Sequence, residues 1–183
     1  MGDVNRAIEF ADFLHTTFPD SQRIADIGGG HGELSFWLHE FGRTSVVIDP
    51  RPSRLPPKLA RELRKRAVRT GHLTTIERRT AGIEDVDLTE FDLIAALHPD
   101  QATEPAIRAA LAAGVAFAVV PCCVFAMNGR PYTREGWLEH LAALAPGIRR
   151  TELPISGART VLWRRPRRLD PPVCPDPMSH SCG

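Results

Sequence analysis

A chain of 183 residues, 43% hydrophobic and 25% charged, is long enough to bury one good core and ordinary in composition for a single soluble domain. Its formal net charge of +1 excludes a global electrostatic drive toward nucleic acid or membrane. The four cysteines do not form a disulfide framework, no apolar stretch reaches transmembrane length, and Arg6 stands where myristoylation after Met1-Gly2 needs Ser or Thr. A reduced, cytoplasmic protein with no membrane partner is the expectation.

In chain order, Asp3 is placed to cap a helix reaching residue 18, with Ile8, Ala11, Phe13, Leu14 and Phe18 on its apolar side. Residues 23–27 read as a buried strand that runs into a glycine-rich turn. Residues 33–41 repeat Leu34, Trp37, Leu38 and Phe41 at helical spacing and stop at Gly42. The largely β-branched run 44–48 is a second strand, ending at Asp49-Pro50. A basic helix is predicted over 56–68, a short strand over 74–77, and a stronger strand over 91–97 that ends in His98-Pro99-Asp100. An alanine-rich helix over 104–113 closes at Gly114, and a buried strand over 116–120 leads to Pro121-Cys122-Cys123.

Thr133 is placed to cap a helix to residue 144, although Gly136 stands where a capping box needs Glu or Gln. Strands over 148–153 and 160–163 flank Ser156-Gly157 as a hairpin. One domain over 1–165 and a Pro-rich, disordered tail over 166–183 follow from this pattern. Cys174, His180 and Cys182 in that tail fall short of a structural zinc site. Strands separated by helices predict a three-layer α/β sandwich around a mostly parallel sheet, in which the C-terminal antiparallel hairpin places one reversed strand.

The glycine turn carries the most chemistry. Glycines between a strand and a helix let a ligand approach the backbone, and the helix N-terminus offers exposed N–H donors. A dinucleotide fingerprint starting at Gly28 would need its third glycine at position 33, which is Glu33. The spacing present is D-x-G-x-G-x-G, carried by Asp26, Gly28, Gly30 and Gly32, with Gly29 and His31 between. Asp49, at the end of the next strand, stands where a carboxylate accepts both hydroxyls of a ribose. A glycine turn that binds nothing is the competing reading, and the acid weighs against it.

Over residues 20–165 this pattern resembles the S-adenosylmethionine (SAM)-dependent methyltransferases, whose Rossmann-like fold has seven strands with the final one reversed. The resemblance implies that Asp26, the glycine loop with His31, Asp49, Pro50, Arg51 and Leu97 hold SAM. It also implies that Glu84 or Asp85, in the turn after the third strand, lies near the adenine.

Two segments sit at strand ends where the acceptor is expected. In the first, His98 or Asp100 is a candidate base, or else a helix cap and a packing residue beside the cofactor. The Asn-Pro-Pro-Tyr motif of base methylation is absent there. In the second, Cys122 and Cys123 read as pocket packing residues or as a nucleophile, and no further metal ligand is adjacent in sequence, so no metal is expected. The His-Pro-Asp and Pro-Cys-Cys segments together resemble the tRNA acceptor-stem ribose 2′-O-methyltransferases and related proteins with a Cys-Cys signature. Val124-Phe125 here replaces the paired His of that branch, and its zinc segments are missing.

RNA is the preferred acceptor, drawn by the basic segment 51–69 and by Arg164, Arg165, Arg167 and Arg168. A small-molecule acceptor and a non-catalytic, SAM-binding or nucleotide-binding partner subunit are the alternatives. The single Tyr leaves no stacking platform of aromatics to decide among them.

Overall fold

Four short runs, Arg23–Ile27, Thr44–Ile48, Leu93–Leu97 and Ala116–Val120, are buried along nearly their whole length, the pattern of parallel strands covered on both faces. In the computed structural model, which describes residues 5–70 and 75–165, they are β1, β2, β4 and β5 of one seven-stranded sheet. The other strands are β3 (Glu77–Arg79), β6 (Arg149–Glu152) and β7 (Thr160–Arg164). The helices are α1 (Arg6–Thr17), α2 (Glu33–Glu40), α3 (Pro57–Thr70), α4 (Thr103–Ala113) and α5 (Arg134–Ala142).

The strand order is β3-β2-β1-β4-β5-β7-β6. Strands β1 to β5 pair in parallel, and β7 runs antiparallel to both neighbours. This is the expected three-layer α/β sandwich with one reversed strand. Alternation along the strands sorts the side chains between two cores. Ala25, Ile27, Val46, Ile94, Phe117 and Val119 pack against Ile107 of α4 and Trp137 and Leu141 of α5. Ile24, Leu93, Ala95, Ala118 and Val120 pack against Phe10 and Leu14 of α1 and Leu34 and Leu38 of α2. No described helix is long and apolar enough to cross a membrane.

Several boundaries move. Helix α1 starts at Arg6 behind Asn5, whose carbonyl accepts from the Glu9 N–H, and Asp3 lies outside the described residues. Strand β3 runs over Glu77–Arg79, past Thr75 and Ile76, because pairing with β2 (Val46 with Glu77, Ile48 with Arg79) sets its position; residue 74 lies outside the described residues. Strand β4 begins at Leu93 rather than 91. A 3-10 turn at Leu88–Glu90 precedes it, and the Asp92 carboxylate accepts the Gln22 and Arg23 N–H groups, both at 2.8 Å. Thr133 does cap α5, its hydroxyl accepting the Gly136 N–H at 3.1 Å. The tail 166–183 lies outside the described residues.

Candidate functional site

The chain passes from β1 outward to β2 and β3, then returns to β4 beside β1, so the β1–β4 crevice is the switch point of the sheet. Ligands of open α/β sheets bind at the carboxyl ends of strands at such a point. Here the glycine loop leaves β1, Asp49 leaves β2 and His98-Pro99-Asp100 leaves β4.

Asp26 shares the α1–α2 side of the sheet with Ile24, and Ser35 of α2 donates to its Oδ2 at 2.8 Å. The carboxylate is wholly buried and its Oδ1 has no donor. Burial pushes its pKa up to about 6, against the opposing Ser35 hydrogen bonds. The loop lies directly over it: a Cβ on Gly29 would stand 2.5 Å from Asp26 Cγ, too close to exist. Gly28, with φ 64°, turns past Pro99, whose Cβ is 3.1 Å from where its own Cβ would be. Loop backbone, acid and the β4 exit thus form one close-packed cradle.

Asp49 is buried at the end of β2. Its Oδ2 accepts the Gly30 N–H at 3.0 Å, and its Oδ1 accepts Arg51 through the backbone N–H at 2.9 Å and Nε at 3.1 Å. Burial alone would raise its pKa, but the Arg51 and Gly30 donors hold it below the ordinary carboxylate value. The acid is therefore ionised and already engaged. Arg51 itself is 72% exposed. Arg78 of β3 donates to the Gly30 carbonyl at 2.8 Å, and Ser53 donates to the same oxygen at 2.9 Å.

Two cavities flank this cradle. One, of about 230 Å³, is lined by Arg6, Asp26, Gly28, Gly29, Gly30, His31, Glu33, Leu34, Arg51, Leu97 and His98. The other, of about 320 Å³, is lined by Gly28, Asp49, Pro50, Arg51, Pro99, Asp100, Gln101, Ala102 and Phe125. Gly28 and Arg51 line both, making them two lobes of one groove. Among the expected binding residues, Gly32 is buried at the start of α2, and Glu84 and Asp85 line neither lobe.

The two candidate bases part company, His98 lining the first lobe and Asp100 the second. Both have positive φ, 52° and 50°, a conformation that costs a residue with a side chain and needs support from its surroundings. Support for His98 comes from its N–H on Val120 O at 3.0 Å and its Nε2 on the Ala158 carbonyl at 2.9 Å. A carbonyl only accepts, so Nε2 carries the proton, and burial lowers the imidazole pKa and favours the neutral ring. Cys122 donates its thiol to Asp100 Oδ1 at 3.0 Å. Burial, and then that carboxylate, push the Cys122 pKa up to about 12, the opposite of an activated nucleophile.

Of the basic segment, Arg51 serves the cradle, as Arg78 of β3 does, Arg66 pairs with Glu40, and Lys65 pairs with Glu62 at 2.9 Å. Arg54, Lys58, Arg61, Arg64 and Arg69 remain exposed. Arg165 donates to the Thr17 carbonyl at 2.7 Å, and Arg167 and Arg168 lie outside the described residues. Sequence reasoning missed Arg6, Ser35, Arg78 and Phe125. No motif marks them, since each reaches the groove or the cradle beneath it from a different element. Phe125 sits on a segment tied down by Glu104, which accepts the Met127 N–H at 3.1 Å.

A family described as a methyltransferase domain matches residues 1–130. No curated protein sequence matches the chain. Among solved structures, a Corynebacterium glutamicum protein is similar at TM-score 0.55 and 12% identity, over 91% of this chain and 82% of that one. A methyltransferase from Geobacter sulfurreducens is similar at TM-score 0.52 and 13% identity, over 85% of this chain and 78% of its own. A mutant of MtNAS in complex with S-adenosylmethionine is similar at TM-score 0.51 and 18% identity, over 88% of this chain and 62% of its own. At these identities the likeness is one of fold.

Proposed function

This chain belongs to the methyltransferase-domain family, and from that membership we propose that it transfers a methyl group from S-adenosylmethionine to a nucleophile on RNA. The observation that carries the reading is the two-lobed groove over the glycine cradle. One lobe offers the orphan Oδ1 of Asp26 and the Arg6 side chain, which suit the ammonium and carboxylate of an amino-acid moiety. The other offers Asp49 below and Pro50, Ala102 and Phe125 around it, which suit a nucleoside.

Bound there, S-adenosylmethionine supplies an electrophilic methyl on a sulfonium, for which in-line positioning is the main demand. The chain's own part is to hold and orient. If the Arg51 guanidinium swings off Asp49, each oxygen keeps its backbone N–H and gains room for a ribose hydroxyl, a small cost for a mostly exposed side chain. His98, protonated on Nε2, keeps Nδ1 unprotonated and so able to take a proton from the acceptor. Asp100 lines the nucleoside lobe and keeps its carboxylate on the Cys122 thiol.

The exposed face of α3, with Lys58, Arg61, Arg64 and Arg69, and Arg54 before it, supports RNA as the acceptor through phosphate contacts. A small-molecule acceptor is the second reading, favoured by the Arg51, Arg66, Arg78 and Arg79 charges being spent on internal partners. Incubating the protein and labelled S-adenosylmethionine with total RNA, and separately with a small-molecule extract, tests it. Label in RNA is expected. Label only in metabolites would replace the acceptor, and no label anywhere would favour a cofactor-binding partner subunit.

A further inference from the structure

Strands β4 and β5 end together: Leu97 pairs with Val120, and the His98 N–H bonds the Val120 carbonyl. Their exits therefore emerge side by side. Asp100 from one and Cys122 and Cys123 from the other present a carboxylate oxygen and two sulfurs that all lie within 4.8 Å of one another. Neighbouring side chains in a strand face opposite ways. The chain leaves β5 at Val120, and beyond it the Cys122 thiol bonds the Asp100 carboxylate while Cys123 lies within 4.8 Å of both.

We propose that Asp100, Cys122 and Cys123 bind one zinc(II) ion, with its fourth position open to the lobe that Asp100 lines. Zn–S bonds of about 2.3 Å and Zn–O bonds of about 2.0–2.2 Å set tetrahedral ligand atoms about 3.5–3.8 Å apart, which small side-chain rotations reach from the present spacing. Two thiolates with a carboxylate suit zinc, whereas magnesium and calcium take oxygen ligands alone. Cys123 and Asp100 are exposed, so an ion can enter. Binding forms two Zn–S bonds and one Zn–O bond in place of bonds from the aqueous ion to water, and releases both thiol protons to solvent. Three protein ligands leave room for a water, whose proton loss the ion eases. That the lobe beside it takes a nucleoside rests on the methyl-transfer reading; the binding of the ion does not.

Co²⁺ is the probe. One equivalent added to the full, reduced chain should produce thiolate-to-cobalt charge transfer and the visible bands of tetrahedral cobalt, both removed by Zn²⁺. The double variant Cys122→Ser/Cys123→Ser should lose the charge transfer, and Asp100→Asn should weaken Co²⁺ binding at least about tenfold. Cys174→Ser/Cys182→Ser should bind as the parent does. The proposal is overturned by a parent chain that takes up no Co²⁺ saturably, or by a spectrum that survives loss of Cys122 and Cys123 and disappears with Cys174 and Cys182. Circular dichroism of each variant confirms that it folds. Calorimetry with S-adenosylmethionine on the same samples separates the two readings: a cobalt site without cofactor binding sinks methyl transfer alone, and cofactor binding without a cobalt site sinks the metal alone.

Discussion

Two carboxylates at the groove carry opposite electrostatic signatures. Asp49 is held ionised by Arg51 and the Gly30 N–H, poised to exchange one set of donors for another. Asp49→Ala should weaken S-adenosylmethionine binding about tenfold to a hundredfold, the range for hydrogen bonds to a charged group, as read by calorimetry. Unchanged affinity would mean that the ribose lies elsewhere. Asp26 is raised by burial to about 6. Between its ordinary value and that one, the folded state holds more protons than the unfolded state. Stability therefore falls as pH rises from about 4 to about 6, by about 3 kcal/mol in all. Denaturant titrations should show that slope flattened in Asp26→Asn, comparing the variant with the parent at each pH. Cofactor affinity should run the other way and weaken below about pH 6, where the protonated acid no longer attracts an ammonium.

At the scale of elements, caps and pairing outrank local pattern. Thr133 bonds the Gly136 N–H and defines where α5 begins, so Thr133→Ala should cost about 1 kcal/mol in urea unfolding. Strand β3 was harder to read because Glu-Arg-Arg has no apolar alternation, and pairing with β2 decides which residues join the sheet. That pairing also points Arg78 at the glycine loop. Helix α3 makes a separable prediction. Reversing Arg61 and Arg64 to Glu should weaken RNA binding and flatten its salt dependence, leaving cofactor affinity unchanged. Equal loss of both affinities would tie the helix to the fold rather than to RNA.

For the whole molecule, the order of strands makes the site. Glycine loop, Asp49, His98 and Cys122 span nearly a hundred positions of sequence, and they meet because β1, β2, β4 and β5 are neighbours whose carboxyl ends lie together. Holding those ends together depends on the core beneath. Phe117, wholly buried in β5 against the α4–α5 layer, is central to it. Phe117→Ala should cost about 3–5 kcal/mol of unfolding free energy and lower the denaturant midpoint with little change in slope.

By itself the sequence determined the α/β alternation, the reversed hairpin, the D-x-G-x-G-x-G turn and its acid at Asp49, because each is written in local spacing. Only the tertiary structure decided that Asp26 keeps an oxygen without a donor, that Arg51 covers Asp49, and that Arg6 joins the groove. It also left Glu84 and Asp85 outside both lobes and set Asp100 against the Cys122–Cys123 pair. These are contacts between distant segments, fixed by which strands lie side by side and by where each chain exit turns. No periodicity along the chain encodes those distances.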